Sequence, residues 1–269
     1  MFKQLVNEAV IMIRISVDTP VSIQSGTENV LDPTLPDNQV MRQYRNGDMH
    51  VVLPGSSIKG VLRSRAETLL RSQGYRIDDP MEWKRYDGDG AERYAQSCPV
   101  SKIFGSLNLK SRIEIEDAYP VDPKSVVTNV RMGVGINRVT GGANNRALFD
   151  KEVVEEGIFS TNIKLVNFEL WQLALVLWLL KDFDAGFIKL GSSTSRGLGK
   201  VHVDVENVKV RQYRKTTTPS PIIGFFDDDK TTEAVDWQPD FFGSTFEQDG
   251  FDAWIGEEGI LREVEWPQK

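Results

Sequence analysis

Cysteine and histidine are scarce in this chain of 269 residues, which holds one cysteine, Cys98, and two histidines, His50 and His202. A single cysteine excludes an internal disulfide and a cysteine-based zinc site. The two scattered histidines form no metal-ligand pattern, and a serine–histidine–aspartate triad could use only those two positions. The sequence therefore argues against a structural zinc site and against a serine–histidine–aspartate active site.

Long apolar runs are also missing. The strongest run extends from Leu170 to Leu180 and is interrupted by Gln172, so it is too short to span a bilayer and predicts a buried core helix. Residues 1–8 show no apolar stretch followed by a small-residue cleavage site, which predicts that there is no signal peptide. We expect a cytoplasmic protein that does not contact a membrane.

An excess of positive charge is lacking as well, because the net charge is −7. The acidity is local, however. Residues 212–269 carry 5 Lys and Arg against 13 Asp and Glu, whereas the preceding 211 residues carry 27 against 26. The first part of the chain is therefore nearly neutral, and local clusters of cations rather than the total set the field that a phosphate chain would meet.

Six segments with clear periodicity follow one another in the order strand, helix, strand, strand, helix, strand. They cover residues 9–17, 56–71, 111–118, 157–167, 169–182 and 200–210. This order predicts an α+β fold with a ferredoxin-like (RRM-like) βαββαβ core and long insertions. The open face of such a sheet is a common platform for single-stranded RNA.

The first predicted helix follows Pro54 and Gly55. Ser56 and Ser57 are N-cap candidates, and an apolar stripe is formed by Ile58, Leu62, Ala66 and Leu69. Lys59 and Arg63 are four positions apart and lie off this stripe, so they share another face of the helix. That face is either a solvated basic surface or, with the helix N-terminus, a site for backbone phosphates.

A second glycine-bearing segment runs from Gly191 to Val201. It does not match a phosphate-binding P-loop, because Thr194 stands where the first glycine is required and Val201 follows Lys200. Its simplest interpretation is a turn between strands. The Ser195-Arg196 pair between glycines makes phosphate binding by the main chain a competing interpretation.

Together these segments resemble a known family. The motifs are Pro-Gly-Ser-Ser-Ile-Lys-Gly at 54–60, Cys-Pro-Val-Ser-Lys-Ile-Phe-Gly-Ser at 98–106, Gly-Ile-Asn-Arg at 135–138 and the glycine segment at 191–199. In this order they are similar to the RAMP superfamily of CRISPR-associated proteins, and most of all to the backbone subunit of type III effector complexes. The resemblance covers roughly residues 9–210.

This resemblance implies binding to a guide (CRISPR) RNA and to a single-stranded target RNA, together with other effector subunits and copies of the same chain. It implies a thumb β-hairpin at about residues 133–159 that protrudes from a domain of residues 1–210. The RNA-binding residues that it implies are Ser56, Ser57, Lys59, Arg63, Asn137, Arg138, Arg146, Ser195, Arg196, Gly197 and Lys200.

The resemblance also implies cleavage of target RNA by an aspartate in the loop after the first strand. Asp37 occupies that place, 17 positions before Pro54, and would act with Mg²⁺. Most aspartates beside a proline, as Asp37 is beside Pro36, only form a turn. The alternatives are therefore a purely architectural RAMP subunit and a RAMP-type endonuclease that processes precursor RNA with a histidine.

Residues 211–269 form an acidic C-terminal extension that lies outside the resemblance. The extension is rich in aromatic residues: Phe225, Phe226, Trp237, Phe241, Phe242, Phe246, Phe251, Trp254 and Trp266. Disordered acidic tails contain few aromatic residues. We therefore predict that the extension folds onto the body of the protein or onto a neighbouring subunit.

Overall fold

The computed structural model describes residues 5–24, 36, 38–79, 85–213, 245–262 and 264–268. Its strands are β1 (Asn7–Val17), β2 (Arg42–Arg45), β3 (Asp48–Val51), β4 (Ile113–Ile115), β5 (Tyr119–Pro120), β6 (Val127–Ile136), β7 (Ala143–Glu156), β8 (Ile158–Val166), β9 (Val201–Gln212) and β10 (Thr245–Gln248). Its α-helices are α1 (Gly55–Ser72), α2 (Gly90–Gln96), α3 (Pro99–Phe104), α4 (Leu170–Asp184) and α5 (Asp252–Ile255).

The main sheet is antiparallel and has the strand order β10-β9-β1-β8-β4, with β5 also paired to β8. Its four core strands are the four that the periodicity predicts, and the last of them lies beside the first. The two crossover helices, α1 and α4, follow the first and third of these strands. The structure thus confirms the ferredoxin-like βαββαβ core.

Alternation of side chains places one face of this sheet in the core. In β1 the residues Ala9, Ile11, Ile13 and Ile15 are fully buried, and in β8 the same holds for Phe159, Ile163 and Leu165. The period of two that these segments show is the period with which a strand directs side chains to opposite faces. Helices α1 and α4 cover the buried face and contribute their own apolar side chains to the same core.

Helix α1 follows its predicted stripe closely. Ile58, Leu62 and Ala66 are buried, but the last buried position is Leu70, while Leu69 is only partly covered. A period of 3.6 residues lets the stripe continue through either position, so the surrounding structure decides between them. The helix ends just before Gly74, whose φ of +86° lies in the left-handed region that glycine adopts without strain.

Helix α4 is strongly apolar, and ten of its fifteen residues are buried. It begins at Leu170. Glu169 and Gln172 form a capping box at this end, in which the side chain of each accepts a hydrogen bond from the backbone N–H of the other. Within the described ranges, no helix combines the length and the apolar character that a membrane crossing requires. The apolar run at 170–180 is therefore a core helix, as its length predicts.

A long hairpin of β6 and β7 projects from the domain. It starts at Val127 and ends at Glu156, so its first strand begins six positions before the expected residue 133. Most of β6 is exposed, including the apolar side chains of Met132 and Ile136. A ten-residue strand is about 33 Å long, which makes this hairpin, hereafter the thumb, a protruding arm.

The polar region between α1 and α3 contains a helix that its composition does not predict. Asp89 caps α2 by accepting from Ala91 N and Glu92 N, while the Glu92 side chain accepts from Asp89 N. The capping box lies within the Asp-Gly-Asp-Gly stretch that favours a loop. Tyr94 on this helix is buried, so the segment is part of the folded body.

The C-terminal extension returns to the body where the structure describes it. Strand β10 pairs with β9, and Trp254 of the short helix α5 is fully buried in the main core. The Trp266 ring lies 6.4 Å from the Trp171 ring at the start of α4. The prediction that this extension folds onto the body is confirmed for these residues.

Candidate nucleic-acid interface

The second glycine-bearing segment and the base of the thumb lie at one end of the sheet. Strand β1 ends there at Val17, which pairs with Val201 immediately after the glycine segment. Strand β8 begins at the same end, directly after the thumb. Helix α1 begins further along the sheet: a Cβ at Gly55 would lie 2.2 Å from the main-chain oxygen of Ile115, which pairs with Ile163 opposite Ile11. The fold thus places the second glycine-bearing segment and the base of the thumb at one end of the sheet, and the start of α1 nearer its middle.

A ladder of main-chain hydrogen bonds connects the two glycine-bearing segments. Ser192 N donates to Ser22 O at 2.8 Å, Met41 N donates to Ile23 O at 3.1 Å, and Val52 N donates to Met41 O at 3.0 Å. Adjacent hydrogen-bonded strands lie about 4.8 Å apart, so three such steps separate the glycine segment from the residues that precede α1 by roughly 14 Å. The two segments therefore share one surface, as an RNA-binding interpretation requires.

The segment 191–199, hereafter the glycine loop, has a main chain that ordinary residues rarely adopt. Gly191, Gly197, Gly199 and even Ser193 have positive φ. A Cβ at Gly191 would lie 2.4 Å from Ser22 O, whereas nothing lies within 4 Å of one at Gly197. The first glycine therefore permits close packing onto the body, and the exposed Ser195, Arg196 and Gly197 face solvent. These three predicted RNA-binding residues are brought together.

Lys200 does not extend this exposed group. Its ammonium pairs with Asp18 at 2.6 Å, and its main-chain N donates to Thr19 Oγ1 at 2.8 Å. The hydrogen bond from Lys200 lowers the pKa of Asp18, which keeps that carboxylate charged. The positive charge of Lys200, one of the predicted RNA-binding residues, is therefore already neutralised by a carboxylate of the same chain.

Lys59 and Arg63 likewise have partners inside the protein. Lys59 Nζ donates to Ser111 Oγ at 2.8 Å and to Ile113 O at 3.1 Å. Arg63 donates to Gly105 O at 3.2 Å and pairs with Glu67 at 2.9 Å. The two cations thus fasten the segment that leads from α3 to β4, which is a structural role that the helical spacing alone does not predict.

The N-terminus of α1 is capped differently from the prediction. Pro54 is the N-cap residue, and neither Ser56 nor Ser57 caps the helix; both lie within it. Gly55 N donates instead to Asp117 Oδ1 at 2.8 Å, and Asp117 Oδ2 accepts from Gln43 at 2.9 Å. A carboxylate of the protein therefore occupies part of the positive helix end, and the exposed Ser56 remains beside it.

The thumb tip holds the remaining predicted contacts. Asn137 shapes the turn, because its side-chain oxygen accepts from Val139 N at 2.8 Å and Thr140 N at 3.2 Å. Arg138 is exposed next to it. The side chain of Arg146 lies outside the described part of the structure. Since the tip is about 30 Å from the thumb base, it forms a separate contact region from the glycine loop.

Asp37, the candidate catalytic residue, also lies outside the described residues. Its neighbour Asn38 is described and pairs with the thumb: Asn38 N donates to Asp150 O at 3.1 Å, and Glu152 N donates to Asn38 O at 2.8 Å. Among the described residues, no group of three or more histidine, cysteine, aspartate or glutamate side chains is arranged to hold a metal ion.

An ion pair with the buried carboxylate of Glu152, which the sequence does not predict, also attaches the segment after Asp37 to the thumb. Arg42 binds both carboxylate oxygens of Glu152, and Val40 N donates to the same carboxylate at 3.1 Å. Burial acts to raise the pKa of Glu152, but the hydrogen bonds from Arg42 and Val40 outweigh it and lower the pKa. We call these three residues the clasp; they fix the segment that follows Asp37 to β7.

The open face of the sheet is not a surface of free cations. Arg14 pairs with Glu206 at 2.7 Å, and the buried Glu8 accepts from Lys164 at 2.7 Å and Arg211 at 2.9 Å. The outward residues of β1 and β8 beyond Glu8 are Val10, Met12, Arg14, Ser16, Ile158, Ser160, Asn162, Lys164 and Val166. They include no aromatic ring; the ring on this face is that of Tyr119 in β5, which pairs with Ser160 and is covered by the Arg45 guanidinium at 4.1 Å.

Comparison with known proteins agrees with this architecture. A sequence model of the RAMP superfamily matches residues 14–202, which is more than half of the chain and includes the end of β1, β4, β8, both crossover helices, the thumb, the glycine loop and the start of β9. No curated protein matched the chain. The chain therefore belongs to the RAMP superfamily of CRISPR-associated proteins, and this membership supports an RNA-binding role.

Proposed function

We propose that this protein is a guide-RNA-binding backbone subunit of a type III CRISPR effector complex and that it cleaves the bound target RNA. The observation that supports the binding role best is the position of the glycine loop beside the thumb base at one end of the sheet, with the residues before α1 three main-chain pairings away. A strand of RNA lying across this end would meet the glycine loop and the thumb and, further along, the start of α1.

The glycine loop supplies the groups that a phosphate backbone requires. Its positive-φ residues turn the main chain sharply, and Ser195, Arg196 and Gly197 are exposed at this turn, where a phosphate can approach the backbone closely. Arg196 adds a full positive charge on the exposed side of the loop. Contacts of this kind position an RNA strand without selecting its sequence, which suits a subunit that must accept any guide.

The thumb suits a contact beyond the guide strand. Met132 is 82% exposed and Val139 at the tip is 94% exposed, which is unusual for large apolar side chains on an isolated surface. Such side chains gain free energy when a partner covers them, whether that partner is a nucleobase or a neighbouring subunit. The proposal assigns the thumb to the guide–target duplex and to the next copy along the guide.

Cleavage is assigned to Asp37. Mg²⁺ is usually held by one or two carboxylates together with substrate phosphates, so one aspartate beside RNA is a suitable donor set without a preformed protein cage. When bound, the ion would neutralise the charge that develops on the phosphate. The clasp and the Asn38 contacts fix the residues that follow Asp37 in the sequence to the thumb.

The reaction would be an intramolecular transfer. The 2′-oxygen of the nucleotide forms a bond to the adjacent phosphorus as its proton leaves, and the bond from phosphorus to the 5′-oxygen breaks. The departing 5′-oxygen takes up a proton. The products are a 2′,3′-cyclic phosphate and a 5′-hydroxyl, and the role of the protein is to hold the nucleotide in line for this attack.

Asp37→Asn in an assembled complex tests the catalytic part. We expect target cleavage opposite this subunit to fall by about 100- to 1000-fold, the range for loss of one group that stabilises charge in the transition state, while guide-RNA binding is unchanged. Asp32→Asn in the same loop is the matched control and should cleave normally. Undiminished cleavage by the Asp37 variant would leave only the architectural role.

A further inference from the structure

Lys151 on thumb strand β7 reaches out of its own hairpin into the glycine loop. Its ammonium donates to Ser193 Oγ at 2.7 Å and to Ser192 Oγ at 3.1 Å. Ser193 has a φ of +59°, so the loop holds this side chain in a conformation that non-glycine residues seldom adopt. The contact joins two elements that are separated by 42 positions in the sequence.

The surroundings of Lys151 are positively charged. Partial burial lowers its pKa, and the nearby charge of Arg196 lowers it further. Among the described residues, neither Lys151 nor Arg196 has a carboxylate partner, whereas Lys200 in the same region is paired with Asp18. Ser193 contacts both residues, because its hydroxyl accepts from Lys151 and its main-chain oxygen accepts from Arg196 N. An anion bound beside Ser193 would relieve the repulsion between the two cations.

We propose that Lys151, Ser192, Ser193 and Arg196 form a phosphodiester-binding site shared by the thumb and the glycine loop. The site rests on the proposed RNA-binding function and makes it more specific. It replaces Lys200 with Lys151 as the second cation beside Arg196. The two hydroxyl groups accept hydrogen bonds from the ammonium and donate their own protons toward a phosphate oxygen.

This arrangement has a geometric consequence. Because one phosphate contacts the thumb and the glycine loop together, it fixes the thumb at a set position along the RNA strand. Lys151 pairs with Arg131, so the tip at Asn137 is then placed about 20 Å further out by the six residues between them. The site would therefore define which nucleotide of the bound strand meets the thumb.

Salt dependence of RNA binding tests the proposal with the full chain and a labelled single-stranded RNA. The logarithm of the binding constant falls against the logarithm of salt concentration with a slope of about −0.7 for each phosphate contacted. Lys151→Met should make this slope less negative by about 0.7, and Lys151→Arg should restore it. Lys181→Met, which removes an exposed cation that lies over Trp178 on α4, should leave the slope unchanged.

A purely structural tether predicts a different pattern. The double variant Ser192→Ala, Ser193→Gly removes both hydroxyls while glycine keeps the positive φ, and it retains the Lys151 charge. If Lys151 binds phosphate, this variant keeps the wild-type slope while Lys151→Met does not; if Lys151 only anchors the loop, this variant and Lys151→Met have the same slope. Melting temperatures of all variants show whether each is folded.

The outcomes separate the two proposals. A wild-type chain that binds RNA, combined with a Lys151→Met slope equal to the wild-type slope, would overturn the shared site and leave the proposed function standing. A wild-type chain with no salt-dependent RNA binding would overturn both.

Discussion

The clasp of Arg42, Val40 and Glu152 offers a sharp test of how the thumb is held. Glu152→Ala removes a carboxylate whose side chain is 11% exposed and leaves Arg42 and Val40 N without their acceptor. Breaking a buried pair costs about 3–5 kcal/mol. Since the Arg42 side chain is 30% exposed and regains some hydration, we expect the free energy of unfolding to fall by about 2–3 kcal/mol.

The pH dependence of this contribution has a definite sign. The pKa of Glu152 is lowered in the folded protein, so the stabilisation is fully present above the ordinary glutamate value of about 4.3. It is lost as the pH falls below that value and through the lowered folded pKa. Urea unfolding of the wild type and of Glu152→Gln, each at neutral and at acidic pH, measures it. The two proteins should differ at neutral pH and converge in acid.

The thumb supplies its own control. Arg131 and Glu155 form a pair at 3.6 Å whose side chains are 50% and 30% exposed, and such surface pairs contribute about 0–1 kcal/mol. Glu155→Gln should therefore unfold almost like the wild type. If Glu152→Gln loses no more stability than Glu155→Gln at neutral pH, the buried clasp does not hold the thumb and the reasoning fails.

Two further predictions concern the glycine loop and the C-terminal extension. Gly197→Ala should lower the free energy of unfolding by about 1–2 kcal/mol through its positive φ alone. Gly191→Ala also brings a Cβ against Ser22 O, so it should lose more stability and RNA affinity as well. Melting and binding assays would show the difference, and equal losses in the two variants would contradict this reasoning. Trp254→Ala should lower the free energy of unfolding by about 3–5 kcal/mol because the ring is fully buried, and Trp266→Ala, 42% exposed, should lose clearly less in urea titrations.

The core could be predicted from the sequence because its signals are short-range. The alternation of Phe159, Ile163 and Leu165 with polar residues fixes both the strand and its buried face, and the structure agrees. The same is true of the stripe of α1 up to Ala66. Periodicity depends only on neighbouring residues, so it can be recognised without knowledge of the rest of the fold.

Partners could not be predicted in this way. Gly55 and Asp117 are 62 positions apart, and no local pattern indicates that this aspartate caps α1 in place of Ser56. The roles of Lys59 and Lys200 were also set by distant groups, namely Ser111 and Asp18. Charge at a suitable spacing predicts where a cation lies on an element, but whether it is free depends on what the fold places beside it.

The thumb boundary shows a third limit. Val127, Val130 and Val134 are β-branched and resemble a buried strand, although each is more than 40% exposed. Strand formation and burial are separate properties, and without a regular alternation the β-branched residues report only the first. The resemblance to the family predicts that the hairpin exists but places its start six positions too late.

The pairing of β10 with β9 also covers an edge strand that could otherwise pair with another copy of the chain. Strand β9 is twelve residues long and rich in valine, and β10 covers its stretch from Val208 to Arg211. An uncovered strand of this length is a template for edge-to-edge aggregation. A chain shortened before residue 245 would therefore precipitate or self-associate through β9, and loss of soluble protein from such a truncation would say nothing about RNA.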